Sequence, residues 1–156
     1  MIPRLTPYSI ALTWATALRA DASLKDWSEK QFGRAPLISV GINFRRPPSE
    51  RDAPFIAIIP EGTGAAESDY SLPHKVGMVL GLRRDGFIRV ENLEVMDGLH
   101  LVEVFQTHIL RVLAALPCYR PVEGQSDIVL EAYPLLQLSL DFTVREQRPI
   151  GSRRSL

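Results

Sequence analysis

The chain has 156 residues, 46% hydrophobic and 23% charged, with 18 Lys and Arg balanced by 18 Asp and Glu. That is the size of one domain, able to bury roughly 70% of its unfolded surface without disulfides or metal. Zero formal net charge argues against broad nucleic-acid binding, which needs surplus cation to replace counterions, and does little to hold copies apart, a balance that a self-associating protein tolerates.

The first element is a helix. Thr6 suits the N-cap and Pro7 the first turn, and Ile10, Trp14, Ala17 and Leu18 recur at helical spacing. A second, short helix is predicted from Ser23, with Asp26 three residues on as a capping-box variant and Leu24, Trp27 and Phe32 as its apolar side; Gly33 and Pro36 stop it. Ile38, Val40, Ile42 and Phe44 then alternate with small or polar residues as in a half-buried strand. A charged, proline-broken loop follows with Arg45, Arg46 and Arg51. Phe55 to Ile59 is apolar on both faces and reads as a central strand. Residues 61–73, rich in Gly, Ala and Ser and carrying Glu61, Glu67 and Asp69, read as a second, mobile loop.

Val76, Met78, Leu80 and Leu82 predict a strand that turns at Asp85-Gly86 into a return strand from Phe87, as a projecting hairpin; the apolar phase shift after Val90 predicts a bulge near Glu91. Gly77 and Gly81 share one face, where another backbone could approach closely. Asp97 is placed to cap the longest helix, about Gly98 to Leu116, whose apolar stripe is wide enough to be core first and interface second. Strands are expected from Asp127 to Tyr133 and from Leu136 to Val144, the latter with the clearest alternation in the chain. The pattern gives an α+β fold: a mainly antiparallel sheet flanked by helices, with residues 1–146 as one domain and 147–156 as a flexible tail carrying Arg148, Arg153 and Arg154.

Residue chemistry points away from catalysis. The one cysteine, Cys118, rules out an internal disulfide and CxxC-type zinc sites, and it follows a helix rather than opening one. His100 and His108 lie two turns apart, too far to share a metal without further ligands, and His74 has no companion in sequence; these read as surface or half-buried polar residues. Gly62 and Gly64 complete neither a phosphate loop nor a dinucleotide fingerprint, and no Gly-x-Ser-x-Gly elbow occurs. Glu91, Glu94 and Asp97 read as a solvated strand face. No metal, cofactor or catalytic thiol is expected. The run Ile10 to Leu18 ahead of Ala20-Asp21-Ala22 imitates a signal peptide, but Pro7, Thr13 and Thr16 interrupt it, and no stretch reaches the roughly 20 apolar residues of a membrane span. A soluble, cytoplasmic protein is expected, with the loop and tail arginines free to meet acidic partners.

The order of elements supplies a further reading. A helix running through Ala17-Leu18-Arg19-Ala20-Asp21-Ala22-Ser23-Leu24, the proline-led strand Pro54 to Ile59, a hairpin strand, a long helix with Ile109-Leu110-Arg111-Val112-Leu113 and the late strand Leu136 to Val144 together resemble the tail terminator, or tail completion, proteins of long-tailed phages and phage-derived particles. The resemblance spans roughly Ile10 to Glu146. It implies a sheet with helices packed on it, no enzyme activity, and a homo-oligomeric ring, typically a hexamer. The ring would sit on the head-proximal end of the tail tube, contact the tube protein on one side and head-completion or neck proteins on the other, and belong to the virion after assembly in the host cytoplasm. Arg45, Arg46, Arg51, Glu61, Glu67, Asp69, Gly77, Gly81, Arg148, Arg153 and Arg154 are the expected interface residues, with the basic tail reaching acidic groups of a neighbouring subunit. The alternatives are another neck or tail component, such as a head-tail connector or tube protein, and a small ligand-binding or enzymatic α+β domain.

Overall fold

A computed structural model gives the fold and describes residues 5–66 and 71–147. In α1 (Pro7–Ala20) the Thr6 and Ser9 side chains each accept from the other's backbone N–H, a reciprocal capping box. Helix α2 (Ala22–Phe32) follows almost at once. Its cap is Asp21 rather than Ser23: the Asp21 carboxylate accepts from the Leu24 N–H at 2.8 Å, so the helix begins ahead of the Ser23–Asp26 pattern. Gly33, left-handed at φ +81°, closes it.

Strand β1 (Leu37–Val40) ends at Gly41, whose φ of +87° leaves the extended region, so the alternation predicted through Phe44 breaks off and Ile42 and Phe44 enter the arginine loop. Strand β2 (Phe55–Thr63) runs parallel to β1 and antiparallel to β3 (Ser71–Arg83). Residues 61–63 and 71–73 are therefore strand, not loop; Glu61 is the extra residue of a bulge between Pro60 and Gly62, which lets β2 continue past its proline. β3 pairs along its whole length with β7 (Leu135–Gln147), and β6 (Glu123–Val129) pairs with the other side of β7, giving the order β1-β2-β3-β7-β6. Strand β6 lies earlier than the predicted Asp127 to Tyr133. Gln147 pairs with Ser71, so the chain is still in strand where the tail was expected to start; the rest of that tail lies outside the described residues.

The predicted hairpin between β3 and a return strand does not form. Both edges of β3 are taken by β2 and β7, which offer longer apolar partners. Instead β4 (Phe87–Val90) pairs with β5 (Leu93–Met96) as a separate two-stranded ribbon. The phase shift at Glu91 is a chain reversal rather than a bulge, with Glu91 left-handed at φ +55°. Helix α3 (Gly98–Ala114) follows directly; Asp97 makes no side-chain cap bond and faces Arg84 at 3.9 Å.

One face of the sheet is covered. Val76, Met78, Leu80 and Leu82 of β3 and Leu136, Leu138, Leu140, Phe142 and Val144 of β7 meet Ile10 and Trp14 of α1 and Val102, Phe105, Ile109 and Leu113 of α3. Most of the α3 stripe is thus core, with Leu110 left 39% exposed. Trp14 stands edge-on to Phe142 at 5.4 Å and donates its indole N–H to the Tyr119 carbonyl at 2.9 Å, which satisfies the one polar atom that its burial would otherwise strand.

Candidate assembly surfaces

The opposite, open face of the sheet carries the two glycines singled out from sequence. Their space is filled from within the chain. A Cβ on Gly81 would collide with the Phe55 ring, and one on Gly77 with the Glu61 carboxyl. The expectation of a second backbone close to this face is therefore corrected: the aromatic ring and the carboxyl group of β2 take that place. Beside Gly77, the Glu61 carboxyl shares a hydrogen bond with Asp141. Although Glu61 is exposed as a residue, its acid group lies against the sheet; desolvation, and then the Asp141 charge, raise its pKa above the ordinary value of 4.5, against the opposing pull of Lys75.

The arginine loop connects β1 to β2 along this face. Arg34 holds it: the guanidinium donates to the Ala53 carbonyl at 2.9 Å and to the Arg51 carbonyl at 2.7 Å. Arg83 reaches Glu50 at 3.7 Å, and Asp52 accepts from the Ser49 N–H at 3.0 Å. The loop's acids are thereby engaged. Arg45 and Arg46 are exposed and make no ion pair among the described residues. Under the loop, Phe44, Pro47 and Pro48 roof an open concavity of about 350 Å³ whose floor includes Phe55, Val79 and Val129. Phe44 is 87% exposed at its rim.

The ribbon is the second surface, and its composition was not singled out in the sequence. Phe87, Ile88, Val90 and Leu93 are 60%, 46%, 48% and 66% exposed, so it shows apolar side chains without covering any. Its base is fixed: Met96 is half-buried against the core cluster. The Tyr133 hydroxyl accepts from the Gly86 N–H at 2.6 Å and donates to Asp85 at 3.0 Å, and the Asp97 N–H donates to the Gly86 carbonyl at 3.2 Å. Arg84 sits beneath, facing Asp97 and lying 5.7 Å over the Phe32 ring. The signal that could have found this surface is the pair of four-residue apolar runs on either side of Glu91-Asn92, too short and too unaccompanied to make a core face.

At the far end of the sheet, His74 is 1% exposed rather than on the surface. Its Nε2 lies 3.0 Å from Glu146, and its Nδ1 lies 2.9 Å from the Thr63 hydroxyl. With the carboxylate accepting from Nε2–H, Nδ1 accepts from the hydroxyl. Hydroxyl, imidazole and carboxylate stand in the order of a proton relay. The concavities under the arginine loop and between α3 and β6 are lined by other residues, and the evident effect of the chain of bonds is to tie β2, β3 and β7 together. Cys118 is exposed, and no group of three or more His, Cys, Asp or Glu able to hold a metal occurs among the described residues. No helix there is long and apolar enough to cross a membrane.

Of the residues expected at an interface, Arg45, Arg46 and Arg51 share one exposed loop, and Glu61 lies over Gly77, with Gly81 two repeats of the pleat farther along β3. Glu67, Asp69, Arg148, Arg153 and Arg154 lie outside the described residues. No protein-family model matches the chain, and no curated protein matches it.

Proposed function

We propose that the protein is a structural virion subunit, a tail terminator that assembles into a ring on the head-proximal end of a phage tail tube and joins it to the neck. One observation carries this reading: a two-stranded ribbon tied to its own chain at the base, through Tyr133 and Met96, with Phe87, Ile88, Val90 and Leu93 left exposed. A two-stranded ribbon alone is at best marginally stable in water, and a cluster of exposed apolar side chains marks a contact surface. Its partner therefore lies in another molecule. The five-stranded sheet with helices on one face agrees with what the family resemblance implies, and zero net charge removes long-range repulsion between copies. The mechanism is geometric: contacts between copies that close by rotation stop growth at one ring, leaving one face for the tube and another for the neck.

The test is electron microscopy and light scattering of the purified full chain, alone and with tail tubes. The expected result is a ring that caps one tube end and blocks further addition of tube subunits. Filaments of the pure protein would make it a tube component. A strict monomer that ignores tubes at high concentration would overturn the reading.

A further inference from the structure

We infer that the β4–β5 ribbon of one copy docks in the concavity beneath the arginine loop of the next copy, with Glu91 and Glu94 meeting Arg45 and Arg46. This rests on the ring reading above and names the surfaces that make the ring. The shapes and the chemistry both match. The concavity is open, about 350 Å³, and lined mainly by Phe44, Pro47, Pro48, Phe55, Val79 and Val129. The ribbon offers apolar side chains on strands about 14 Å long, at about 3.4 Å per residue over four residues, and its end carries Val90 and Leu93.

Charge selects the occupant. The ribbon holds Arg89 against Glu91 and Glu94, with both acids at or beside the reversal, and neither acid makes an ion pair among the described residues. Arg45 and Arg46 stand in sequence between the lining residues Phe44 and Pro47, exposed and without an ion pair among the described residues, while Glu50 is engaged by Arg83, and Asp52 by the Ser49 backbone and the nearby Arg46 and Arg34 charges. Opposite charges set around two apolar patches steer them together and fix their register. The basic C-terminal segment, with Arg148, Arg153 and Arg154, has the wrong sign for this rim. Met96 anchors the ribbon's base to the core of its own chain, while Phe87, Ile88, Val90 and Leu93 stay exposed, so the docking is between copies. Two different patches, each complementary to the other, make a head-to-tail contact, which propagates until rotation closes a ring.

The experiment uses charge reversal in the full chain. The variants are E91R/E94R, R45E/R46E and the fourfold combination, followed by sedimentation and light scattering across protein concentration at low and high salt, with circular dichroism to confirm folding. Each double reversal sets like charges against each other and is expected to raise the concentration of half-assembly at least about tenfold; the fourfold variant restores assembly close to that of the unaltered chain. In a C118S background, F44C with L93C is expected to give intermolecular disulfide ladders on oxidation. Folded double variants that assemble like the unaltered chain would overturn the docking, and so would a fourfold variant no better than the doubles. If rings form and cap tubes while the reversals change nothing, the docking alone fails. If the unaltered chain neither self-associates nor binds tubes, the ring reading itself fails.

Discussion

Asp21 is the residue whose loss should be felt most widely for its size. It is the only residue between α1 and α2, and its carboxylate serves two partners. One oxygen accepts from the Leu24 N–H at 2.8 Å and so caps α2. The two oxygens also take Arg111 of α3 in a fork, at 3.2 Å and 2.6 Å. Removing an N-cap carboxylate costs about 1 kcal/mol. The ion pair is half open, with Asp21 20% and Arg111 46% exposed, so it belongs with surface pairs worth about 0.2–1 kcal/mol. D21A should therefore lose about 1.2–2 kcal/mol, a fall in Tm of about 2–8 °C for a domain of this size.

The two roles can be separated. D21N keeps an acceptor for the Leu24 N–H and loses the charge, so it should cost about half as much as D21A. The Asp21 pKa lies below the ordinary 3.8, chiefly through the Arg111 hydrogen bond, with burial opposing and the Leu24 N–H assisting. A lowered folded pKa means that the charge's contribution is present above pH about 3.8 and is lost as pH falls through the folded value. The gap between D21N and the unaltered chain should be flat near neutrality and close in that acid window. Urea unfolding at a series of pH values would measure it. A D21A variant within about 0.3 kcal/mol of the unaltered chain at pH 7 would refute the dual role, because an exposed side chain doing neither job falls in that range.

Three more outcomes follow from the same geometry. G81A should cost about 1–3 kcal/mol, because its methyl group meets the buried Phe55 ring, whereas G77A should cost well under about 1 kcal/mol, since the Glu61 side chain can swing away; thermal unfolding of the pair would check the contrast. E61Q should raise Tm at pH 7: a carboxyl whose folded pKa is raised loses stability as pH rises above its unfolded value, so the gain should vanish below pH about 4.5 in a Tm-against-pH series. Y133F removes the bond donated to Asp85 and the acceptor of the Gly86 N–H. It should speed amide exchange in the ribbon by about tenfold while lowering global stability by no more than about 1.5 kcal/mol, as followed by hydrogen exchange.

Much of the fold could be read along the chain wherever one local rule had no competitor. The Thr6-Pro7 start, the α3 stripe and the alternation from Leu136 to Val144 each found their place because period and burial agreed. The misses share a different cause. Asp85-Gly86 carries a strong turn signal, and a left-handed Gly86 at φ +93° does turn the chain there, but which strand β3 pairs with is settled by the length and apolarity of β2 and β7, distant in sequence. Pro60 and the glycines after it hide a strand that a bulge at Glu61 carries onward. Asp21 was masked by Ser23, an equally good cap two residues later. The arginine loop and the two glycines were legible as features of the chain, and the structure sets them along the open face of the sheet. The groups that organise that surface were not, because Arg34, Phe55 and Tyr133 act on residues 17 or more positions away.

The strand edges bear on which surfaces can join two copies. A five-stranded open sheet has two edges, and the plainest way to link copies would be to pair β6 of one with β1 of the next. Both edges are poorly made for it. β1 offers four residues before Gly41 turns the chain away at φ +87°. β6 is longer, but Glu123 is held by Arg145 and Asp127 stands exposed in mid-strand, and charge along an edge is what discourages addition of another strand. Each edge exposes an apolar side chain, Leu37 on β1 and Ile128 on β6, but the larger apolar clusters lie on the ribbon, tied at its base by Tyr133, and around the concavity beneath Phe44. Edge pairing needs only backbone and would accept any extended segment, including further strands in an open-ended stack. A ribbon seated in a shaped concavity accepts one partner in one register. For a subunit whose proposed task is to stop a tube from growing, that restriction is the useful property: the contact that builds the ring is used up when the ring closes.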